Sequence, residues 1–357
     1  MAPDGTWWKY SRRMVSDLRD ARTGEGVVPM AGDGAEAMAG GVSVTRPRLD
    51  EKPWGGRKLE RFGLDLPPGV PVGEALVTAG DAEIVSGAAA GRTLGEVIAA
   101  NPGLLGPAAS RAVRGRATFP LLVKLIDASE NLSIQVHPND EQAAPLDKLG
   151  KSEAWYVLAA DPGAGLYVGL REGVSLDAFQ EAASRLDGSS AELMRRVPAE
   201  PGRTILLPAN TIHALGAGVM VYEIQQPSDV TYRLDDWGRV DAFGNPREMH
   251  LERGFAVADP EIQPDWLEPN GTGDGRELLV TTRWFALERI EMDAGSELVL
   301  SELAGPQVVT LLEGSAEIGN ERLTGGHSAV AWPGGKHVMT AGDRVVALRA
   351  WVPEETV

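Results

Sequence analysis

The sequence of 357 residues contains no cysteine. Disulfide bonds and thiolate metal sites are therefore excluded, and a zinc ion would have to be held by histidine, carboxylate or amide oxygen. Histidine is also scarce, with five in the whole chain. A metal site in this protein consequently has few residues from which it can be built.

Positive charge is in deficit as well, with 34 Lys and Arg against 51 Asp and Glu and a net charge of −17. Nucleic-acid binding needs a basic surface, so we expect no nucleic-acid partner, and an anionic substrate would need a locally positive pocket. No apolar run reaches the roughly 18 residues that span a bilayer. The N-terminus has no apolar segment typical of a secretory signal. These absences predict a cytoplasmic protein without a membrane partner; they do not indicate an oligomeric state.

Glycine and proline, in contrast, are abundant, with 43 and 24 residues. They separate short segments rich in β-branched or alternating apolar residues, which predicts a mainly β protein. The predicted strands of the first half are residues 121–126, 132–136, 154–158, 204–207 and 219–224. Those of the second half are residues 285–290, 298–301, 307–312, 315–318, 329–332 and 345–352.

Two helices interrupt this pattern. Apolar residues repeat at three- and four-residue steps over residues 175–186, and a weaker helix is predicted near residues 94–100. We predict three parts of the chain and a Pro/Gly/Asp-rich linker at about residues 260–275. The parts are an N-terminal extension at 1–45, partly disordered or packed on the body, a metal-binding domain at 46–258 with a short helical insertion, and a smaller β domain at 276–357.

The residues that carry chemistry lie at the ends of predicted strands. Alternate residues of a strand share a face, so Gln135 lies on the same side as His137, and Lys151 on the same side as Glu153. His213 follows a strand and a Pro-Ala-Asn turn. A single histidine of this kind is more often structural than a ligand. Two histidines, a glutamate and a glutamine amide together indicate a zinc site, which in an enzyme leaves one position open.

Two resemblances sharpen this hypothesis. The pattern Gly202-x5-Pro208-x-Asn210-x2-His213 resembles the second motif of the cupins, with Asn210 where that motif has glycine. Asparagine tolerates the left-handed backbone that such a turn needs. More narrowly, blocks in the same order over residues 46–250 resemble the type I mannose-6-phosphate isomerases in their short bacterial form. These blocks are residues 52–56 (KPWGG), 132–138 (LSIQVHP), 150–156 (GKSEAWY), 207–214 (LPANTIHA) and 223–233 (EIQQPSDVTYR).

The resemblance implies two cupin-like (jelly-roll) β-barrels with a small helical insertion, the second barrel degenerate. It also implies one zinc ion per chain and an aldose–ketose isomerase that interconverts mannose 6-phosphate and fructose 6-phosphate through a cis-enediol. Its site residues are, for the metal, Gln135, His137, Glu153 and His213, for catalysis, Arg233, Lys151 and Glu223, and for the substrate, Asp229, Lys52 and Trp54. Glu223 is the preferred proton-transfer base and Lys151 the alternative.

Several alternatives stay open at this point. Leu76 stands where the family has an aromatic residue, which leaves an isomerase for a related sugar phosphate possible. A non-catalytic or regulatory sugar-phosphate-binding cupin is a second alternative, and an iron-dependent cupin oxygenase a third, although such a site usually has more histidines. Arg233 could instead pair with Asp235 or Asp236 on the surface. His327 and His337 have no partner with ligand spacing and are predicted to be structural.

Overall fold

The structure, a computed structural model, describes residues 38–240 and 243–354. Most of the predicted N-terminal extension therefore lies outside the described residues. The strands of the first half are β1 (Val42–Arg46), β2 (Arg48–Gly56), β3 (Val72–Thr78), β4 (Glu83–Ile84), β5 (Leu122–Asp127), β6 (Ile134–Val136), β7 (Glu153–Ala160), β8 (Gly165–Leu170), β9 (Met194–Pro198), β10 (Thr204–Leu207), β11 (His213–Leu215), β12 (Val219–Gln225) and β13 (Tyr232–Asp235).

The second half continues in the same style, and helices are short throughout. Its strands are β14 (Trp266–Leu267), β15 (Asn270–Gly271), β16 (Arg276–Thr281), β17 (Ala286–Met292), β18 (Glu297–Leu300), β19 (Gln307–Glu313), β20 (Ser315–Ile318), β21 (Glu321–Thr324), β22 (Ser328–Ala331), β23 (His337–Ala341) and β24 (Val345–Trp351). The α-helices are α1 (Leu94–Ala100), α2 (Gly106–Ala112), α3 (Asp140–Ala143), α4 (Leu176–Ala183) and α5 (Leu251–Val257). Single 3-10 turns occur at Lys58–Phe62, Pro102–Leu105, Ala144–Leu146 and Ser189–Leu193. The mainly β prediction is confirmed.

The strands form four sheets. A seven-stranded sheet has the order β14-β10-β7-β12-β5-β3-β2, and a five-stranded sheet has the order β13-β6-β11-β8-β9. The remaining two sheets have the orders β15-β16-β17-β24-β19-β22-β1-β4 and β18-β23-β20-β21. All strand pairs are antiparallel, which lets neighbouring strands connect through short turns.

Strand β1 joins the two halves of the chain. Although it precedes all other strands, it pairs with β22 in the sheet of the second half, with Val44 opposite Ala329. It also pairs with β4 through Thr45 and Ile84. The three-part division of the chain stays a prediction, but a cut at residue 45 would pass through β1.

The predicted helical insertion is present between β8 and β9. The Ser175 hydroxyl accepts a hydrogen bond from the backbone N–H of Ala178 and so caps helix α4. Phe179 and Ala183 bury one face of the helix against the five-stranded sheet. The helix ends before the predicted Leu186, because Leu186 adopts a φ of 56°, which is incompatible with continuing a right-handed helix.

One large apolar core connects the eight-stranded sheet with the seven-stranded sheet. It contains Tyr156 and Ile224 from the first half together with Phe285, Trp332 and Leu348 from the second. Burying such large side chains stabilises the contact between the halves, at ~25 cal/mol for each Å² of apolar surface removed from water. No helix among residues 38–240 and 243–354 is long and apolar enough to cross a membrane.

Candidate active site

The site lies where the seven-stranded and the five-stranded sheets face each other. In the five-stranded sheet His213 is directly opposite Gln135, and Arg233 is opposite Gln135 on the other side. In the seven-stranded sheet Glu153 is the first residue of β7. His137 follows the last residue of β6, immediately before Pro138. The strand register thus collects residues that are up to about a hundred positions apart in sequence.

His137, Glu153 and His213 form one compact group. One ligand atom from each lies within 4.8 Å of the others, and all three side chains are buried. The Nε2 atom of His213 is 3.2 Å from Oε1 of Glu153, and Nε2 of His137 is 3.5 Å from Oε2 of Glu153. This is the only such group of histidines and carboxylates among residues 38–240 and 243–354.

Backbone carbonyls fix the orientation of both imidazole rings. Nδ1 of His137 donates to the carbonyl of Val230 at 2.9 Å, and Nδ1 of His213 donates to the carbonyl of Thr211 at 2.9 Å. A carbonyl can only accept, so in the neutral ring the proton is on Nδ1 and the lone pair of Nε2 faces the site. Outer hydrogen bonds of this kind are typical of metal-ligating histidines.

The donor set therefore fits a metal ion. Oε1 of Glu153 is buried and accepts no hydrogen bond, although Nε2 of His213 lies beside it. Two lone pairs that face each other at this distance repel unless a cation stands between them. Two imidazole nitrogens and a carboxylate are ligands that zinc prefers.

Lys151 occupies the edge of this group. Its ammonium donates to Oε2 of Glu153 at 2.7 Å and lies 2.9 Å from Nε2 of His137. Burial and this ammonium lower the pKa of His137 well below its usual range. Burial alone would raise the pKa of Glu153, but the Lys151 ammonium holds it well below its usual range. The group is thus poised with a neutral ring and an ionised carboxylate, the forms that bind metals.

Gln135 contacts the same point through its amide. Its Nε2 atom is 3.3 Å from Nε2 of His213. The oxygen and nitrogen of a glutamine amide have nearly the same shape, so a half-turn of the amide would place Oε1 there instead. Asn210, which presents the His213 turn, has a φ of 75°, as the turn chemistry predicted. Its backbone N–H donates to the carbonyl of His137 at 2.7 Å and ties the two ligand segments together.

A pocket of about 450 Å³ opens beside the metal-ligand group. Its lining includes seven of the ten predicted site residues, Lys52, Trp54, Gln135, Lys151, Glu223, Asp229 and Arg233. The other three, His137, Glu153 and His213, lie behind Gln135 and Lys151. The structure therefore brings all ten into one region; their individual roles stay predictions.

Arg233 faces the pocket without a carboxylate partner among the described residues. Its Nη1 donates to the carbonyl of Glu248 at 2.7 Å, and its Nε is buried without a hydrogen-bond partner. The alternative surface pair with Asp236 does not form, because Asp236 binds Arg239 and Arg247. Burial and the nearby Arg247 guanidinium lower the pKa of Arg233 from its ordinary value, but it remains a strong base and stays charged.

The three predicted substrate residues are placed differently in the pocket. Trp54 is buried and forms a wall, whereas the Asp229 side chain is 75% exposed at the rim. Asp229 pairs with Lys148 at 2.9 Å. Lys52 pairs with Glu74 at 3.1 Å, so its ammonium is partly neutralised before any substrate arrives.

Sequence reasoning missed Lys124. This residue lies in β5 directly opposite Glu223 of β12, and its ammonium is 3.0 Å from Oε1 of Glu223 and 3.7 Å from Oε1 of Glu74. Burial opposes its charge, yet the two carboxylates raise the pKa of Lys124 above its usual range. A lysine at the centre of an apolar strand was the available signal, because Leu122, Lys124 and Ile126 alternate onto the pocket face.

His327 and His337 belong to no group of potential metal ligands within residues 38–240 and 243–354. Nε2 of His337 contacts the carbonyl of Trp332 at 2.8 Å inside the second half. His327 is beside Thr324, with its Nδ1 2.9 Å from the threonine hydroxyl. Both contacts are local, within five residues of each histidine, and they stabilise turns.

Comparison with known proteins agrees with this geometry. The catalytic domain of type I phosphomannose isomerase matches residues 45–161. Mannose-6-phosphate isomerase ManA of Bacillus subtilis is 36% identical over 227 residues, which cover 62% of this chain and 69% of the relative. Mannose-6-phosphate isomerase of Streptococcus mutans is 31% identical over 280 residues, which cover 74% of this chain and 85% of the relative. The chain belongs to the type I mannose-6-phosphate isomerase family.

Solved structures of the mannose-6-phosphate isomerase family share the fold. The crystal structure of the Bacillus subtilis enzyme has a TM-score of 0.74 at 26% identity and covers 87% of this chain and 99% of its own. A zinc-bound mannose 6-phosphate isomerase has the same fold, with a TM-score of 0.70 at 18% identity, and covers 87% of this chain and 99% of its own. The predicted cupin-type fold is thereby confirmed.

Proposed function

We propose that this protein is a zinc-dependent isomerase that interconverts mannose 6-phosphate and fructose 6-phosphate. One zinc ion per chain would be held by His137, Glu153 and His213, with the Gln135 amide oxygen as the fourth ligand. The observation that carries the proposal is the convergence of the two imidazole Nε2 atoms and the Glu153 carboxylate at one buried point, with both Nδ1 atoms bound to backbone carbonyls. That point adjoins a pocket lined by cationic side chains.

The reaction moves a proton between two neighbouring carbons of an open-chain sugar, and negative charge develops on the two oxygens of the enediolate. A zinc ion, when bound, supplies Lewis-acid stabilisation of oxygen charge. The protein itself contributes Lys151 and Arg233, whose charges lie at the pocket wall before the substrate arrives. Fixed charges of this kind stabilise a transition state because they need no reorganisation when the charge develops.

Arg233 also suits the anionic substrate. Its planar guanidinium can contact two oxygens at once, of the phosphate or of the enediolate, which the lysine point charge cannot do. The absence of a carboxylate partner among the described residues leaves its charge available to the substrate. A local positive group of this kind explains how a protein with a net charge of −17 can bind an anion.

Glu223 is the proton-transfer base that this geometry favours. It lies in the pocket wall, with Oε1 beside the Lys124 ammonium and Oε2 accepting a hydrogen bond from Nε1 of Trp155 at 3.0 Å. In the aldose-to-ketose direction it would take the proton from C2 and return it at C1, while a proton shifts from O2 to O1. Lys151 is less suited to this role, because its ammonium already donates to Glu153.

The finer parts of the proposal rest on the residues around the pocket. Leu76 lies in the pocket wall, where it replaces the aromatic residue of the family, so a related sugar phosphate is the variant of this function that needs testing. The acidic composition supports the further proposal that no nucleic acid is bound. The lack of long apolar runs supports the proposals of a cytoplasmic location and of no membrane partner. A purely regulatory binding protein is disfavoured, because it would not need both the ligand group and the buried Lys124–Glu223 pair.

The test is a coupled assay of fructose 6-phosphate formed from mannose 6-phosphate, with the metal content of the same sample measured by elemental analysis. We expect about one zinc per chain, loss of activity on prolonged chelation and recovery when zinc is added back. Glucose 6-phosphate and other aldose phosphates serve as substrate controls. A protein that binds zinc and mannose 6-phosphate but forms no fructose 6-phosphate would be the non-catalytic binding protein instead.

A further inference from the structure

A second cavity lies on the far side of the five-stranded sheet from the candidate active site, beside the paired strands β8 and β9. Its volume is about 690 Å³, within the range of small-molecule sites. Three arginines, Arg171, Arg195 and Arg196, line it together with the aromatic pair of Tyr167 and Trp237. We call these five residues the arginine groove. The only carboxylate in its lining is Glu192.

The charges of the arginine groove are not neutralised by the protein. Within residues 38–240 and 243–354 none of its three arginines forms an ion pair. They bind backbone carbonyls instead, as Arg171 does with Glu192 at 3.0 Å and Arg195 with Val168 at 3.4 Å. In a chain with 51 acidic residues, three adjacent guanidinium groups without a carboxylate partner leave positive charge available to an external anion.

Arg195 repeats the situation of Arg233 in the candidate active site. Each has a buried guanidinium nitrogen with no hydrogen-bond partner, Nη2 in Arg195 and Nε in Arg233. A buried donor without a partner costs free energy, and such groups usually have an acceptor that is supplied by water or ligand. This parallel is independent of the charge count, and it gives both cavities an arginine with an unused hydrogen-bond donor.

The aromatic pair indicates what else the ligand carries. The rings of Tyr167 and Trp237 are 5.5 Å apart at 56°, and Arg196 lies over the Tyr167 ring at 6.0 Å. Trp237 has a φ of 59°, an unfavourable conformation for a bulky residue, and its indole Nε1 donates to the carbonyl of Leu132 at 2.7 Å. The fold therefore holds this ring in place at a conformational cost, which is typical of functional positions.

We propose that the arginine groove is a second binding site, distinct from the catalytic pocket, for an organic phosphate that carries a flat ring, as a nucleotide does. The guanidinium groups would contact the phosphate oxygens, for which their planar geometry is suited. The ring would pack against Tyr167 and Trp237, since aromatic side chains stack on flat rings whatever hydrogen-bonding groups those rings carry.

The test is isothermal titration calorimetry of the metal-loaded full-length protein with ADP, with pyrophosphate and adenosine as comparison ligands. We expect ADP to bind at about one site per chain and more tightly than either pyrophosphate or adenosine. The double substitution Arg195→Gln with Arg196→Gln should weaken ADP binding by about tenfold or more, because two charged hydrogen-bond donors are lost. Arg233→Ala should leave ADP binding unchanged, since it changes only the other pocket.

A matched control changes the same charge elsewhere. The double substitution Arg322→Gln with Arg344→Gln removes two arginines from the surface of the second half and should leave ADP binding unchanged. Thermal denaturation of each variant shows that it is folded. The proposal is overturned if ADP does not bind, if pyrophosphate binds as tightly as ADP, if the control pair weakens binding equally, or if Arg233→Ala abolishes it.

Discussion

The two halves of the chain use the same strand pattern but fill their interiors differently. In the second half Val309, Leu311 and Met339 close the interior with apolar side chains, and the buried Arg349 is matched by Gln307 and Glu288. In the first half the corresponding space is a pocket lined by charged groups.

Unmatched buried polar atoms separate the halves most clearly. Among the described residues, every buried side-chain nitrogen or oxygen without a hydrogen-bond partner lies between Thr78 and Arg233, including Oε1 of Glu153. Unpartnered buried atoms are destabilising, and two of these, Oε1 of Glu153 and Nε of Arg233, belong to the candidate active site, where a metal or substrate completes such bonding. The comparison teaches that the two halves differ in polar bonding, and that the candidate site lies in the half that contains the unpartnered buried atoms.

The strongest test of this comparison is His137→Ala. Removing a ligand should abolish tight zinc binding and lower kcat by about 10³-fold or more, since a Lewis acid contributes several kcal/mol to the stabilisation of oxygen charge. Metal content by elemental analysis and the coupled isomerase assay measure the two effects. His337→Ala is the matched control in the second half, and it should lower stability by roughly 1–3 kcal/mol while metal and activity persist. Equal loss of metal in both variants would contradict the comparison.

Arg233→Ala should have the next largest effect. We expect kcat to fall by on the order of 10²–10³, comparable to the loss of one preorganised oxyanion donor, with zinc content unchanged. Arg233→Lys should recover only part of the loss, because a point charge cannot replace the planar fork. Arg344→Ala, which removes an exposed arginine of the second half, should leave kcat and KM unchanged. If only KM of the alanine variant increases, Arg233 binds the phosphate and does not act on the transition state. If kcat and KM are both unchanged, Arg233 is not part of the site.

Acidification of the metal-free protein tests the state of His137 itself. The pKa of this ring is lower in the folded protein than in the unfolded chain, so the unfolded state binds the proton first. The associated stability is present at neutral pH and is lost as the pH falls below about 6.5, by at most ~1.4 kcal/mol per pH unit. Urea denaturation after chelation, at pH 7, 6 and 5, measures the slope. His137→Gln should flatten it, and parallel slopes for the two proteins would show that the ring is not held neutral.

The smallest predicted effect concerns the contact between the halves. The hydroxyl of Tyr222 lies 3.3 Å from that of Thr310 across the shared core. Tyr222→Phe should reduce the free energy of unfolding by ~1 kcal/mol and leave kcat unchanged, because only one neutral hydrogen bond is lost. Thr310→Val provides the second arm of a double-mutant cycle. Fully additive effects of the two substitutions would show that the hydrogen bond does not connect the halves.

Local chemistry explains what the sequence predicted well. Strand existence follows from alternation and turn residues, and β10 and β20 have the predicted bounds. The predicted alternation of Gln135 with His137 and of Lys151 with Glu153 extends beyond the strands, because His137 follows β6 and Lys151 precedes β7. The left-handed turn at Asn210 follows from the conformational tolerance of asparagine. Each of these depends only on residues within a few positions of one another.

Other features were decided by the tertiary structure alone. Lys124 joins the site because β5 lies beside β12, and β1 joins the sheet of the second half because it pairs with β22. The arginine groove exists because the paired strands β8 and β9 lie near Trp237. Strand order and register arise from long-range contacts whose free energies are summed over the whole core, and no local pattern encodes them. The sequence by itself determined which side chains can bind a metal and on which face of a strand they lie; the fold decided which charges surround them.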